Sequence, residues 1–576
     1  MKPSKEDLAK KLAQKNAEAL DYRRRLRETE LSRSYRVTLF AAQAARNPLR
    51  LFTRAGELKS LLKKSEVPTL PARMPSAEDF LSGEESSSGP PGFEKYSTIM
   101  RYPHIKVAVI GEVEWLSSVC HAYSIESAPW EYLLEVGTEA LVINPRQKNY
   151  DKALASAAIK KFKVAGLPII FWVHEPQDIN NHLFKQATHI FAQTVEKVSI
   201  PSSKRNIQLA PSIDIEEWNP VDWSIHPSND IFVPDGRVGD SRENVLSSSA
   251  TVVDSAKYSS EDDYIIDCLR TLALGSPLLT SGSPSLKKVL GKGFVYTEKD
   301  GWPQKIDPLR KPFARERESI FWRRKVMQDH SHLARFEQLI DFLKIPRRPR
   351  EKISIIHSTS RPDYLEHAIA NIKSQTYPNI ELLLILHGSG FNIKKVKKVL
   401  SSCDFPIEVI QRPKTSLFGD NLNIAVDKAV GELVTKMDDD DWYGPEHLED
   451  LYLAYSYSGA DIVGKWGNFV YLQNSNRMIS FATQREEKYV HQLPGATILA
   501  SKEMLQKVRF GRVKRAIDSE LHRRLAMRGG RLYSTHRYNF IRVRHDNHTY
   551  EREDDAFLAS ADGKPWENLD TKNTFI

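Results

Sequence analysis

Four consecutive carboxylates, Asp438, Asp439, Asp440 and Asp441, stand where an apolar segment with Leu433, Val434 and Met437 stops at Trp442-Tyr443-Gly444-Pro445. Adjacent carboxylates repel one another, so a fold that presents them together at a strand end needs a cation or a basic partner to offset the repulsion. Alternate residues of an extended segment face the same way, which puts Asp438 and Asp440 on one side. A strand running into clustered carboxylates at a turn suits a divalent metal that holds a diphosphate. The alternative is a solvated acidic turn, and the neighbouring elements must decide between the two.

Those elements have the order a mononucleotide-binding layer needs. Ile353-Ser354-Ile355-Ile356 leads into Ser358-Thr359-Ser360-Arg361-Pro362, which reads as a strand and a turn, followed by a helix with apolar Leu365, Ala368, Ile369 and Ile372. The segment from Ser374 to Asn379 turns into a strand from Ile380 to Leu386. A third strand at Ile407 to Ile410, a helix ending near Gly431 and the strand into the aspartates complete a βαβαβ unit.

In this order the segments resemble the inverting family 2 glycosyltransferases of the GT-A fold, over residues 351–550. The matching residues are Ser358 to Pro362, Gln375 to Glu381, Asn423-Ile424-Ala425 through Gly431-Glu432, and Met437 to Asp441 with Pro445. The resemblance implies a nucleotide-sugar donor held by Ser358, Thr359, Arg361, Asn423, Asp438 and Asp439, with Asp440 on Mn²⁺ or Mg²⁺ and Asp438 close to the ribose or the metal. It also implies a general base at Asp518, in Ala516 to Leu521, which takes the proton of the acceptor hydroxyl. Glu520 is the other carboxylate there, and a helix cap is the alternative role for Asp518. His545, and after it His548, fall where related enzymes place a third metal ligand, and a neutral imidazole suits Mn²⁺. Trp466 and Tyr471 could face a sugar ring, and Gly495 would let backbone approach a ligand, so Trp466, Gly495 and Glu520 are the acceptor-side candidates. Where the family carries an Asp pair after its second strand this chain has His387-Gly388, and Leu422 replaces the usual Arg. The donor base is therefore left open.

Upstream, Val107 to Gly111, Ala140 to Ile143, Ile169 to Val173 and Ile190 to Ala192 are continuous apolar runs between helical stretches, the texture of a parallel sheet covered on both faces. Phe171 to Pro176, Ala187 to Ala192, Leu209 to Asp214 with Trp218-Asn219-Pro220, and Leu272 to Leu279 resemble the CgeB-like, GT-B-type glycosyltransferases. Arg270 stands where such enzymes carry a ribose-holding acid, and the second layer is compressed into residues 224–297. A reduced module that binds acceptor or partner is expected, with His174 and Glu175 as either active groups or helix caps.

The 576 residues hold 40% hydrophobic and 27% charged side chains and three cysteines without metal spacing, a soluble globular composition with inert thiols. No apolar run reaches membrane-span length, and the charged stretch from Lys2 to Lys15 is no secretory signal, so a cytoplasmic protein is expected. The net charge of +9 concentrates in basic clusters that lack interleaved aromatics, which argues against nucleic acid. Residues 35–52 read as a basic amphipathic helix that either lies on an anionic inner membrane face or packs on the protein's own surface. The charged helix before it could pair with a second copy.

The expected architecture is α/β: a basic helical segment and linker (1–92), a Rossmann-like domain (93–222), a reduced second layer with a basic connector (223–350), a GT-A domain (351–550) and a tail (551–576). The expected function is a metal-dependent inverting glycosyltransferase that acts on a cell-surface glycan or lipid-linked glycan. A bifunctional two-site transferase and a non-catalytic scaffold binding glycan or nucleotide sugar are the alternatives.

Overall fold

Apolar strands that lack a polar face must be covered on both sides, and a six-stranded parallel sheet and the parallel part of an eight-stranded one meet that demand in the computed structural model. It describes residues 101–576 apart from 112–113, 126–132, 135–136, 147–150, 224–226, 228, 292, 297–300, 514–515 and 546–553. The expected basic helices and linker of residues 1–92, and His548, lie outside the described residues.

The first sheet holds β1 (Tyr102–Ile110), β2 (Cys120–Ser124), β3 (Ala140–Ile143), β4 (Ile169–Val173), β5 (His189–Gln193) and β6 (Arg205–Leu209) in the order β2-β1-β3-β4-β5-β6. Every pairing is parallel. Alternation splits the strands between two cores: Leu141, Ile143 and Phe171 pack with Phe162 of helix α1 (Lys152–Val164), while Val142, Ile170 and Trp172 pack with Phe336 and Leu339 of the helix His332–Phe342. The compressed layer holds three parallel strands, β7 (Asn229–Phe232), β8 (Ser248–Val252) and β9 (Leu278–Leu279), with helix α2 (Glu261–Ala273) contributing to its core. Helix α3 (Pro312–Asp329) leads away from it.

The third sheet begins with β10 (Ile353–Thr359), followed by α4 (Leu365–Lys373), β11 (Ile380–His387), β12 (Ile407–Arg412), α5 (Phe418–Lys428) and β13 (Leu433–Lys436). Strands β12, β11, β10 and β13 are adjacent and parallel, so their C-terminal ends open on one edge. The turn into β13 is fixed by an internal carboxylate: Glu381 accepts from the Ser354 hydroxyl and from the N–H groups of Val430 (2.7 Å) and Gly431 (3.2 Å). A Cβ at Gly431 would lie 2.4 Å from the Lys352 carbonyl, so glycine is required.

After β13 the chain makes β14 (Trp442–Tyr443), α6 (His447–Ser458), β15 (Ile462–Gly464), β16 (Asn468–Leu472), β17 (Arg477–Phe481), β18 (Lys488–Val490), β19 (Leu499–Ser501), α7 (Ile517–Ala526), β20 (Leu532–Ser534), β21 (Phe540–Arg544) and β22 (Trp566–Glu567). Strands β19, β15, β20 and β18 extend the third sheet beyond β13. The remaining strands form a second sheet of this C-terminal half, in the order β14-β21-β16-β17-β22, which places β21 against the segment following the aspartates.

Helix α3 meets the C-terminal half through buried charges. Arg323 donates to Glu487 at 2.7 Å, and the hydroxyls of Tyr533 (2.7 Å) and Tyr457 (3.1 Å) donate to the same carboxylate. Arg324 donates to Asp450 at 2.8 Å, while Glu316 takes Arg537 and the Tyr538 hydroxyl. Removing one partner of such a pair strands a charge away from water, which costs about 3–5 kcal/mol. Arg323→Ala is therefore expected to lose about that much stability in equilibrium urea unfolding, whereas Arg310→Ala, whose partner Asp307 is exposed, should change it by less than about 1 kcal/mol. Equal losses would mean that the α3 charges are not stabilising partners.

Candidate active site

The aspartate run lies at the C-terminal end of β13, beside the end of β10, and each carboxylate meets a different partner. Lys436, the last residue of β13, is buried and reaches Asp438 at 2.6 Å. Asp439 accepts from the Thr359 hydroxyl and from Arg361, whose Nε lies at 3.1 Å. The same guanidinium reaches Asp440 at 2.9 Å. The His545 Nε2 also stands 2.9 Å from Asp440. Asp441 accepts from the Val543 N–H of β21 at 2.9 Å, and burial, with the charges of Asp440 and Asp438 adding to it, pushes its carboxyl well above the usual range. The turn itself is held by α4: His367 and the Asn371 amide both reach the Asp441 carbonyl, at 2.8 and 2.9 Å. Tyr443 completes it, its hydroxyl accepting from the Asp438 N–H at 2.8 Å and donating to the Ala496 carbonyl at 3.0 Å.

Asp518, in the first turn of α7, faces this cluster. Burial raises its carboxyl above the usual range, Asp438 adds to that effect, and Lys436 opposes it. The lysine therefore lies between two carboxylates, and against burial they hold its ammonium above the ordinary lysine range. One Asp518 oxygen is buried with no hydrogen-bond partner, and so is the Ser358 hydroxyl at the end of β10. Two such groups at the edge of a parallel sheet are unmet hydrogen-bonding capacity that a polar ligand can satisfy. The backbone of Gly495 hydrogen-bonds Asp518, and a Cβ there would lie 2.1 Å from both of its oxygens. Gly495 thus makes room for the carboxylate itself.

The other sequence candidates lie apart from this cluster. Asn423 has its amide fully engaged by the Phe510 backbone, donating at 3.0 Å and accepting at 2.9 Å. Trp466 is half-buried, edge-on to His491 with the Arg485 guanidinium 5.0 Å over its ring, and the Tyr471 hydroxyl donates to Asn476. Glu520 is held by Arg523 and Arg524, whose hydrogen bonds pull it down to about 2, too acidic for a good base. In the first sheet His174 follows β4, and burial together with Arg146 lowers its imidazole to about 4. Glu175 pairs with Arg146 at 2.8 Å and forms a reciprocal cap with Asp178. The sequence reading passed over Lys436, His367, Asn371 and Tyr443. Only Lys436 carried a signal, a charge inside an otherwise apolar strand.

A divalent cation fits part of this arrangement. The Asp440 oxygen and the His545 nitrogen are 2.9 Å apart, and neighbouring ligands of a six-coordinate ion with bonds of about 2.1 Å stand about 3.0 Å apart. Arg361 already places positive charge on the pair. Among the described residues no group of three His, Cys, Asp or Glu has metal-binding spacing, so further ligands would come from the substrate or water.

Residues 354–497, which include β10, the aspartate run and Gly495, match the family described as Glycosyl transferase family 2. The matched stretch is a quarter of the 576 residues. Glycosyltransferase GlyA of Streptococcus pneumoniae serotype 4 is 30% identical over 132 residues, 23% of this chain and 18% of that protein. The O-antigen biosynthesis glycosyltransferase WbnJ of Escherichia coli is 31% identical over 116 residues, 20% of this chain and 45% of that protein. A solved mannosyltransferase, PcManGT from Pyrobaculum calidifontis in complex with GDP-Man and Mn²⁺, superposes with a TM-score of 0.28 and 16% identity over 37% of this chain and 64% of that one. The chain thus spans less than half the length of these two curated relatives.

Two outcomes follow for this site. Gly495→Ala must displace Asp518, so it should lower turnover at least ~100-fold at an overpacking cost of about 1–3 kcal/mol, read by kinetics beside thermal unfolding. Because Asp518 titrates above an ordinary carboxylate, its ionisation opposes folding, by an amount that grows as pH rises from the unfolded value through the folded one. Asp518→Asn should therefore be at least as stable as wild type at pH 8 while inactive. The acid limb of the wild-type pH profile should lie above pH ~4, and a stability loss in Asp518→Asn without an activity loss would contradict both points.

Proposed function

We propose that the chain is a metal-dependent, inverting glycosyltransferase that moves a sugar from a nucleotide-sugar donor to a surface glycan or lipid-linked acceptor. The observation that carries this reading is Asp518: a buried carboxylate with an unpartnered oxygen, seated on Gly495 and facing Lys436 and Asp438. The donor's diphosphate belongs beside Asp438, Asp439 and Asp440, with Arg361 and Lys436 supplying fixed positive charge and Ser358 a free hydroxyl. Mn²⁺ or Mg²⁺, held by Asp440 and His545 with Asp438 nearby, would stabilise the charge that grows on the leaving diphosphate. Asp518 takes the proton of the acceptor hydroxyl as the acceptor oxygen bonds the anomeric carbon and the carbon–phosphate-oxygen bond breaks on the opposite face. Its raised affinity for a proton suits that task.

The N-terminal half serves, in this reading, as a GT-B-type, CgeB-like module that binds acceptor or partner rather than a second donor. In support, its second layer has only three strands among the described residues. Arg270, where a ribose-holding acid would stand, is paired with Asp267 at 3.1 Å and lies 4.3 Å over the Trp218 ring. Among the described residues no helix is long and apolar enough to cross a membrane, so contact with an anionic inner face would fall to the basic segment before residue 60.

The test is nucleotide release from a panel of nucleotide sugars with Mn²⁺ and Mg²⁺, comparing wild type with Asp440→Ala. The expected result is metal-dependent release of one nucleotide in wild type and a loss of at least ~100-fold in the variant. Donor binding without turnover, unchanged in Asp440→Ala, would favour a non-catalytic scaffold. Turnover of a different donor that survives the substitution would favour a second active site.

A further inference from the structure

A depression of about 600 Å³ is lined by four arginines, Arg412, Arg509, Arg512 and Arg524, and by a single carboxylate, Asp420. Even with the partners just outside it, Asp427 and Glu520, the balance is four positive charges to three negative. Arg412 has a neutral partner, donating to the Asn421 side-chain oxygen at 3.0 Å. Arg512 is 75% exposed and its pair with Asp420 spans 3.0 Å, so it can exchange that carboxylate for another anion at little cost.

The arginines sit on a built frame. Both polar atoms of Asn423 clamp the Phe510 backbone. A Cβ at Gly419 would lie 2.0 Å from the Gly511 carbonyl, and one at Gly511 would lie 2.5 Å from the Glu520 side chain. The segment 509–512 is thereby pressed between the first turn of α5 and α7. Arg509 adopts a positive φ of 63°, uncommon outside glycine, and holds it with a two-point pair to Asp427.

The position separates this depression from the donor's place. Leu422, Ala425 and Val426 pack α5 against Ile356, Leu383 and Ile385 of the sheet, whereas Asp420, Asn423 and Ile424 line the depression on another side of the helix. Helix α7 contributes Arg524, six residues after Asp518, about 9 Å along the axis and about 120° round it, so the depression borders the helix that carries Asp518 on a neighbouring face. Arginine forks match phosphate oxygens in pairs.

We infer that this depression holds the phosphate of a phosphate-bearing acceptor. The inference rests on the transferase reading above and adds the acceptor's chemical class. A soluble sugar phosphate or phosphodiester and a lipid head group offer the same chemistry.

The probe is inorganic pyrophosphate, titrated calorimetrically into the full chain in metal-free buffer. One binding event should weaken at least tenfold in the double variant Arg509→Ser, Arg512→Ser and persist in Arg361→Ala, which removes only donor-side binding, with thermal unfolding confirming that both variants fold. Loss in Arg361→Ala alone would place the anion on the donor side and overturn the inference, as would the lack of saturable binding to wild type. Titration of the same double variant with sn-glycerol 3-phosphate and with phosphatidylcholine vesicles containing phosphatidic acid tells the sources apart. A loss confined to the first means a soluble phosphate, a loss confined to the second means a head group, and no loss with any probe overturns the site. Metal-dependent nucleotide release reports on the transferase reading separately. It should persist in the double variant, and its absence from wild type would sink that reading while leaving the pyrophosphate result standing.

Discussion

Mutual repulsion among four adjacent carboxylates is the constraint around which the C-terminal half is arranged. No single partner relieves it. Lys436 answers Asp438 from the same strand, Arg361 answers Asp439 and Asp440 from the turn after β10, and Asp441 is turned inward to the Val543 N–H of the second sheet. Helix α4 ties down the Asp441 carbonyl through His367 and Asn371. Strand β13, the β10 turn, α4 and β21 must therefore converge at one point. Their convergence leaves Asp438, Asp439 and Asp440 beside Arg361, with Asp518 facing them across Lys436.

The compensation differs in kind from one carboxylate to the next, and so does its chemical consequence. Asp438 and Asp439 face fixed cations, Lys436 and Arg361. Asp441 loses water and gains like-charged neighbours, so its proton is retained far above the usual range. Asp518 lies between these cases, raised by burial and drawn back by Lys436. One buried lysine thereby sets the balance between an anchoring carboxylate and a proton-accepting one.

Much of this was legible because the physics is local. The apolar runs at β3 and β4 and the apolar-rich stretches at β10, β11 and β13 read as covered strands, and the aspartates mark where the last of them ends. Strand β6 escaped notice because its sequence, Arg205 to Leu209, is polar and lies at the sheet edge, where no apolar pattern is imposed. The second sheet escaped because it joins strands of two to five residues from distant stretches, and short strands depend on their neighbours more than on their own composition. At the site, Asp518 and Gly495 were both read as functional, yet their relation was invisible: a glycine's need for space is set by what packs on it. Asn423 shows the opposite limit, since nothing in its neighbours in sequence points to Phe510.

The charges on helix α3 bear on how far the C-terminal fold can be treated as a portable unit. The sequence suggests a seam at residue 350, where one texture gives way to another. Yet Glu487 and Asp450 draw their counterions from Arg323 and Arg324, upstream of that seam. Cutting the chain there would leave two anions in a dry interior with their principal counterions gone. The upstream helix thus supplies counterions to the interior of the C-terminal half, and that half cut at residue 350 would lack part of its own charge balance.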